Sequence, residues 1–258
     1  MFSAAALVAF LAIVPCIVGA QKAGLPWTTN FNIGQFLTTG KVTWYYTYGI
    51  STVSTSAEFV PMLFGSSQAA QWDSNIKSVI KNHGVKHVLG FNEPNEDTQA
   101  NLSPQAAAAL WKQHIQPLKA QGVLLGSPAP GPSGNGVQWL QQFIQACSGC
   151  NVDFIAVHQY DTSTSGFKAA IQQYHNAFPG KPIWVTEWAC EDFNSERGPC
   201  SASAASSFMK TIQAFFDSQS YIERYAWFGV FPNTSPAQID LVDSSGRINA
   251  LGKQYIGA

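Results

Sequence analysis

Eight short apolar runs recur along the chain, and amphipathic stretches separate most of them. The runs fall at 23–27, 42–48, 59–64, 87–91, 123–126, 152–158, 183–186 and 224–230. The stretches between them, at 69–82, 104–121, 137–146, 166–178 and 202–218, carry the 3.6-residue apolar spacing of surface helices. Strands that alternate with helices form a parallel sheet covered by helices, so the pattern predicts an α/β fold. Eight such units in 258 residues fit a single-domain (β/α)8 TIM barrel. An open doubly wound sheet would alternate in the same way. The polar residues decide between the two. Asn92, Glu93, His158, Tyr160, Glu187 and Trp227 fall at or after strand ends, where barrel active sites lie. No GxGxxG follows a strand, so dinucleotide binding loses support. The first strand is the weakest, being short and carrying Pro26. There is no internal repeat. The SPAPGPSGNG segment at 127–136 follows the fifth strand and reads as a loop on the active face, as does the polar loop at 51–56.

The chain is 46% hydrophobic and 11% charged, with a net charge of -1. A large core is therefore available, and the charge footprint of a nucleic-acid binder is absent. A neutral ligand fits this balance better than a phosphate polymer, and the chain is expected to act as a monomer. Residues 2–20 are almost wholly apolar and end in Val18-Gly19-Ala20, a small-x-small cleavage pattern. We read 1–20 as a secretion signal and 21–258 as the catalytic barrel. A membrane anchor competes less well, because the stretch is short, contains Pro15 and lacks a flanking basic cluster. No membrane association is expected after cleavage. Removal of the signal removes Cys16 and leaves Cys147, Cys150, Cys190 and Cys200. An even count in a secreted chain reads as two disulfides. The local pairing, Cys147–Cys150 with Cys190–Cys200, closes two short loops beside predicted strands. A redox dithiol or half a zinc site at Cys147-Ser148-Gly149-Cys150 lacks a second CxxC and the right compartment.

The chemistry is concentrated in two segments, Gly90-Phe91-Asn92-Glu93-Pro94-Asn95 and Trp184-Val185-Thr186-Glu187-Trp188. Each sets a glutamate at the C-terminal end of an apolar run, among aromatics and amides. Strands four and seven face each other across a barrel mouth, so the two carboxylates can meet over a cleft. Such a pair is the equipment for cutting a glycosidic bond, one group protonating the leaving oxygen and the other attacking or activating water. Asn92 is placed to bind a sugar hydroxyl, and Pro94 rigidifies the turn. His158 and Tyr160 are two apart on one strand and share a face. Tyr160 is expected to donate to Glu187 and keep it ionised, and His158 to bind a sugar hydroxyl. The five histidines show no HExxH or other ligand spacing, so neither metal nor cofactor is expected. Of the 8 Trp, 8 Tyr and 17 Phe, most are core. Trp44, Trp188 and Trp227, with Tyr48, are the candidates for stacking on sugar rings. From strands two, seven and eight, the three indoles would line one arc of the mouth at mutual angles, as a curved glycan requires.

Together with Lys22-Ala23-Gly24-Leu25, Val42-Thr43-Trp44-Tyr45-Tyr46, Glu58-Phe59-Val60-Pro61-Met62-Leu63 and Val157-His158-Gln159-Tyr160, these segments resemble the Asl1-like glycosyl hydrolase catalytic core, glycoside hydrolase family 128. The resemblance covers nearly the whole mature chain. FNEPN with TEW at this spacing is specific, whereas NEP alone is shared by many barrel glycosidases. It implies a secreted fungal endo-β-1,3-glucanase of the cell wall or medium, acting on β-glucan with retention. In that scheme Glu93 is acid/base, protonated at rest, and Glu187 is nucleophile. Pro26-Trp27 departs from the polar strand end expected there. The rivals are a retaining glycosidase for β-1,4-glucan or mannan, and a wall glycan-binding protein with weak catalysis. Asn101-Leu102-Ser103 and Asn233-Thr234-Ser235 are glycosylation sequons.

Overall fold

The computed structural model describes residues 21–193, 200–231 and 237–258. The segment read as a signal and the Asn233 sequon lie outside them. All eight strands form: β1 Ala23–Pro26, β2 Val42–Tyr46, β3 Glu58–Phe59, β4 His87–Val88, β5 Leu124–Leu125, β6 Ile155–Tyr160, β7 Ile183–Ala189 and β8 Ile222–Trp227. Six pair in the order β3-β2-β1-β8-β7-β6, and β4 pairs with β5. Every strand pairing is parallel. Two further parallel bridges, Met62 to Leu89 and Gly126 to Phe154, tie the β4–β5 pair to both edges of the six-stranded sheet. The ring is thereby continuous, and the expected barrel stands.

The helices are α1 Ala69–His83, α2 Pro104–His114, α3 Gly136–Ala146, α4 Thr164–Ala177, α5 Ala202–Ser218 and α6 Ala250–Ile256. Serine hydroxyls start three of them. Ser103, Ser163 and Ser201 accept from the backbone N–H three residues on, and each such cap is worth about 1 kcal/mol. The expected helix over 104–121 is interrupted at Ile115 and continues as a 3-10 segment, Gln116–Gln121. Pro117 is the cause, since it lacks an N–H and its ring clashes with the preceding turn. The seven residues of α6 are too few for periodicity to reveal.

Alternation along the strands sorts the core into two layers. Trp44, Tyr46, Val60, Met62, Leu89, Phe154, Ala156, Trp184 and Ala226 fill the inside of the ring. A larger layer lies between sheet and helices. Large rings inside need small neighbours. A Cβ on Gly24 would lie 2.1 Å from the Trp44 ring, and one on Gly126 would lie 2.3 Å from the Phe154 ring.

The strand N-termini are closed by an ionic floor. Arg224 Nη2 donates to Glu58 Oε2 at 2.7 Å, His87 Nδ1 meets Glu58 Oε1 at 2.6 Å, and the guanidinium lies 4.3 Å over Trp184. Burial alone would raise the Glu58 carboxyl, but hydrogen bonds from His87 and Arg224 outweigh it and bring it down to about 2. A carboxyl held below its unfolded value stabilises the fold above that value, and the contribution is lost as pH falls towards 2. Glu58→Gln should cost about 2 kcal/mol at neutral pH. It should also flatten the loss of stability between about pH 4.5 and 2, read as urea midpoints across that range. A variant whose acid unfolding overlays the parent would contradict this.

Both local disulfides are present, with Cα separations of 5.4 Å for Cys147–Cys150 and 5.7 Å for Cys190–Cys200. The second links the end of β7 to the start of α5. Among the described residues no helix is long and apolar enough to cross a membrane.

Candidate active site

Glu187 reaches the barrel mouth through an irregularity in β7. Val157 is opposite Val185, but the next residue, His158, is opposite Glu187, so β7 carries one extra residue there. On the other side, Val185–Trp188 is matched by Tyr225–Trp227, again with β7 one residue longer. A bulge of this kind re-aims a side chain and commonly sits beside active sites. Without it, Glu187 would follow inward-facing Trp184 at the wrong parity and point into the helix layer. Glu93 comes from the loop after β4 with φ of +42°, a region that side chains other than glycine seldom adopt. Its N–H donates to Ala129 O at 2.8 Å.

These two turns bring the carboxylates together. One oxygen of Glu93, one of Glu187 and a ring nitrogen of His158 lie within 4.8 Å of one another, and all three residues are buried. His158 Nδ1 is 2.8 Å from Glu93 Oε1 and 3.2 Å from Glu187 Oε2. Tyr160 donates to Glu187 Oε2 at 2.5 Å and Tyr48 to Glu187 Oε1 at 2.7 Å. The expected Tyr160 contact is therefore present. The sugar-binding role expected of His158 gives way to another arrangement, in which the imidazole bridges the two carboxylates. Its Nε2 is buried without a hydrogen-bond partner among the described residues.

The electrostatics follow from burial and proximity. Burial disfavours the His158 imidazolium, yet the Glu187 charge, with the hydrogen bond and charge of Glu93, outweighs it and raises His158 above its ordinary value. Burial raises the Glu187 carboxyl; His158 opposes this, the Glu93 charge adds to it, and the Tyr160 and Tyr48 hydroxyls oppose it. The Tyr160 hydrogen bond favours the ionised form as expected, but burial outweighs it and the net direction is upward. Burial pushes the hydroxyls of Tyr46, Tyr48 and Tyr160 far up, so all three are neutral donors. Two carboxylates and an imidazole this close could in principle hold a cation. Here the Glu187 oxygens already accept from two tyrosines, and His158 Nδ1 faces both acids. The donor set therefore suits protons better than a metal.

The cleft above the pair has a volume of about 470 Å³ and is lined by Tyr48, Asn92, Glu93, Tyr160 and Glu187. Thr28, Glu96, Thr98 and Gln99 add polar groups, and Phe64, Phe193, Phe228 and Phe231 add apolar walls. Asn92 Nδ2 donates to Gln99 Oε1 at 3.1 Å, while Asn92 Oδ1 is buried without a partner among the described residues. The 127–136 loop does lie on this face. Asn95 Oδ1 accepts from Gly131 N at 2.7 Å, and Glu96 accepts from both Ser133 N and the Ser133 hydroxyl.

The three tryptophan platforms are corrected. Trp44, Trp188 and Trp227 are each 0% exposed, and none lines the cleft. Trp44 packs inside the ring with Nε1 donating to Lys22 O. Trp188 is the residue after Glu187, so it points to the opposite face and packs on Phe167, Phe208 and Phe216. Trp227 precedes cleft-lining Phe228 and turns outward for the same reason, its Nε1 donating to Ile239 O. The argument from three angled indoles falls with them. Phe193, 50% exposed and edge-on to Tyr160 at 4.8 Å, takes the place of an open aromatic surface. The segment after β1 reaches the cleft through Thr28, while Trp27 is buried against Phe36.

The family model of the glycosyl hydrolase catalytic core matches residues 13–255. The chain belongs to that family. It is 33% identical over 249 residues to alkali-sensitive linkage protein 1 of Schizosaccharomyces pombe, covering 91% of this chain and 44% of that one. The chain thus spans less than half the length of this relative. Among solved structures it is similar to a family 128 (subgroup I) endo-β-1,3-glucanase from Amycolatopsis mediterranei in complex with laminaritriose. That match has 30% identity and a TM-score of 0.77, covering 92% and 99% of the two chains. It is also similar to a curdlan-specific exo-β-1,3-glucanase (subgroup III) from Blastomyces gilchristii in complex with glucose, at 31% identity and a TM-score of 0.76, covering 93% and 99%. The family 128 resemblance seen in the motifs stands. The family 128 structures it is similar to include both endo- and exo-acting β-1,3-glucanases.

Proposed function

We propose that the protein is a secreted, retaining endo-β-1,3-glucanase in which Glu187 is the nucleophile and Glu93 the acid/base. The observation that carries this is the Glu93–Glu187 pair at the barrel mouth, with oxygens within 4.8 Å and one imidazole against both. Retaining enzymes separate their carboxyl groups by ~5–5.5 Å and inverting ones by ~6.5–9.5 Å to admit a water; the short approach favours retention. A Glu187 oxygen forms a bond to the anomeric carbon as the glycosidic C–O bond breaks. The electron pair leaves with the aglycone oxygen, which takes its proton from Glu93. Water then attacks the glycosyl-enzyme, giving its proton back to Glu93 and releasing Glu187. His158 holds both carboxylates in register through this exchange.

Substrate class follows from the cleft. Phenylalanine walls suit the CH faces of sugars, and Asn92, Thr98 and Gln99 suit neutral hydroxyls. β-1,3-Glucan is favoured over β-1,4-glucan or mannan by the laminaritriose and curdlan named for the similar structures. The endo assignment rests on the similarity to the Amycolatopsis enzyme. Secretion is supported by the apolar 2–20 segment and by two disulfides, which persist in oxidising compartments.

The test is hydrolysis of laminarin, curdlan, cellulose and mannan oligomers, with early products sized and their anomers read by proton NMR. Laminarin should give short oligomers that first appear as β anomers. Glucose as the sole early product would make the enzyme exo-acting. Initial α anomers would make Glu187 a base, and equal rates on cellulosic oligomers would remove the β-1,3 assignment.

A further inference from the structure

We propose that Tyr48 is a positioning residue for Glu187: a left-handed backbone turn after β2 holds its hydroxyl on Oε1, fixing the carboxylate plane and favouring its ionised form. The proposal rests on the reading of Glu187 as nucleophile. Each Glu187 oxygen has its own tyrosine, Tyr160 on Oε2 at 2.5 Å and Tyr48 on Oε1 at 2.7 Å. Tyr46 does not substitute for Tyr48, because its hydroxyl is 3.4 Å from Oε1 and is committed to Thr186 O at 3.0 Å. Tyr48 also has φ of +57°, an outlier for a bulky residue that persists only where the surroundings enforce it. They do so here. Gln68 Nε2 donates to Tyr48 O at 3.2 Å, Met62 N donates to Gly49 O at 3.0 Å, and the Tyr46 ring packs edge-on at 4.9 Å. A strained turn that serves only to close a loop would not need an aromatic hydroxyl at its tip, since asparagine or glycine adopts this conformation with less cost.

The chemical need is specific. Glu187 must be ionised under conditions where Glu93 still carries its proton, and burial works against that by raising Glu187. The groups facing Glu187 are Tyr46 and Tyr48 from the β2 side, Glu93 from the loop after β4, and His158 and Tyr160 from β6. His158 attracts the carboxylate charge, and Glu93 repels it only when it too is ionised. A hydroxyl on Oε1 works against burial and favours the ionised form of Glu187. When Glu187 bonds to the anomeric carbon its charge disappears, and the Tyr48 hydroxyl is left with a weaker acceptor until water restores the carboxylate.

The test is a carbon-13 NMR titration of the Glu187 side-chain carboxyl, assigned by the signal lost in Glu187→Gln. It is made on the parent, on Tyr48→Phe, and on protein carrying 3-fluorotyrosine at position 48. Tyr48→Phe keeps the ring and its packing while removing one donor to a charged acceptor. The Glu187 titration should rise by about one pH unit. The more acidic fluorinated hydroxyl should move it the opposite way, and the acid limb of kcat on laminarin should track both shifts. A merely structural tyrosine would change melting temperature and leave the titration in place. Superimposable titrations in the three proteins would overturn the proposal. If the titrations shift but the parent leaves laminarin intact, the Tyr48 contact stands and the glucanase reading fails instead.

Discussion

Glu187→Ala will lower turnover on laminarin by about four orders of magnitude, the scale on which removal of a covalent nucleophile acts, and the fold will survive it. The second half of the expectation comes from energetics. Glu187 is a buried carboxyl whose pKa burial raises, so it costs the folded state rather than supporting it. Its two tyrosine donors lose an acceptor in the variant, but the side chain removed is one that water would solvate better. Thermal melting should therefore move little or upward while kcat collapses. A small anion such as azide fits the space vacated and can attack the anomeric carbon from the nucleophile's side. Rescue with azide should yield the α-glycosyl azide, the inverted product of a single displacement. Substantial laminarin hydrolysis by Glu187→Ala without added anion would remove the residue from the mechanism.

The sequence carried the barrel because its signal is redundant: eight apolar runs recur, and amphipathic stretches separate most of them. It carried Glu93, Glu187 and Tyr160 because carboxylates and a tyrosine at strand ends are few in a chain with so little charge. It misplaced the tryptophans because adjacency in sequence was read as adjacency in space. Residues next to one another on a strand point to opposite faces, so placing Glu187 inward already sends Trp188 outward, and the same alternation separates Trp227 from Phe228. The bulge in β7 was not legible, since one extra residue in a strand leaves no mark on composition. Phe193 and Phe231 were missed because they stand outside the strands, and periodicity is silent there. The bridging position of His158 depends on the turn at Glu93 with φ of +42°, and a non-glycine residue in that conformation gives no sequence signal. Glu96 and Ser133, which fasten the 127–136 loop to the cleft rim, are common polar residues whose role exists only once the loop has folded back.

Glu93→Ala will separate substrates by their leaving groups. On laminarin the departing oxygen is a sugar hydroxylate that needs a proton, and loss of the donor should cost about a thousandfold. On an aryl β-glucoside with an acidic phenol as leaving group, bond cleavage needs no proton, and the first step should slow by less than about tenfold. Breakdown of the glycosyl-enzyme still lacks its general base, so the activated substrate should show a burst followed by slow turnover, and azide should accelerate the slow phase to give the β-glycosyl azide. The 3.2 Å approach of His158 to Glu187 does not pass through Glu93, so the nucleophile should remain held in this variant. The two glutamate variants give azide products of opposite configuration, α from Glu187→Ala and β from Glu93→Ala, which fixes the faces from which the two carboxylates act. Equal losses on laminarin and on the activated glucoside would mean that Glu93 supports the site without delivering a proton.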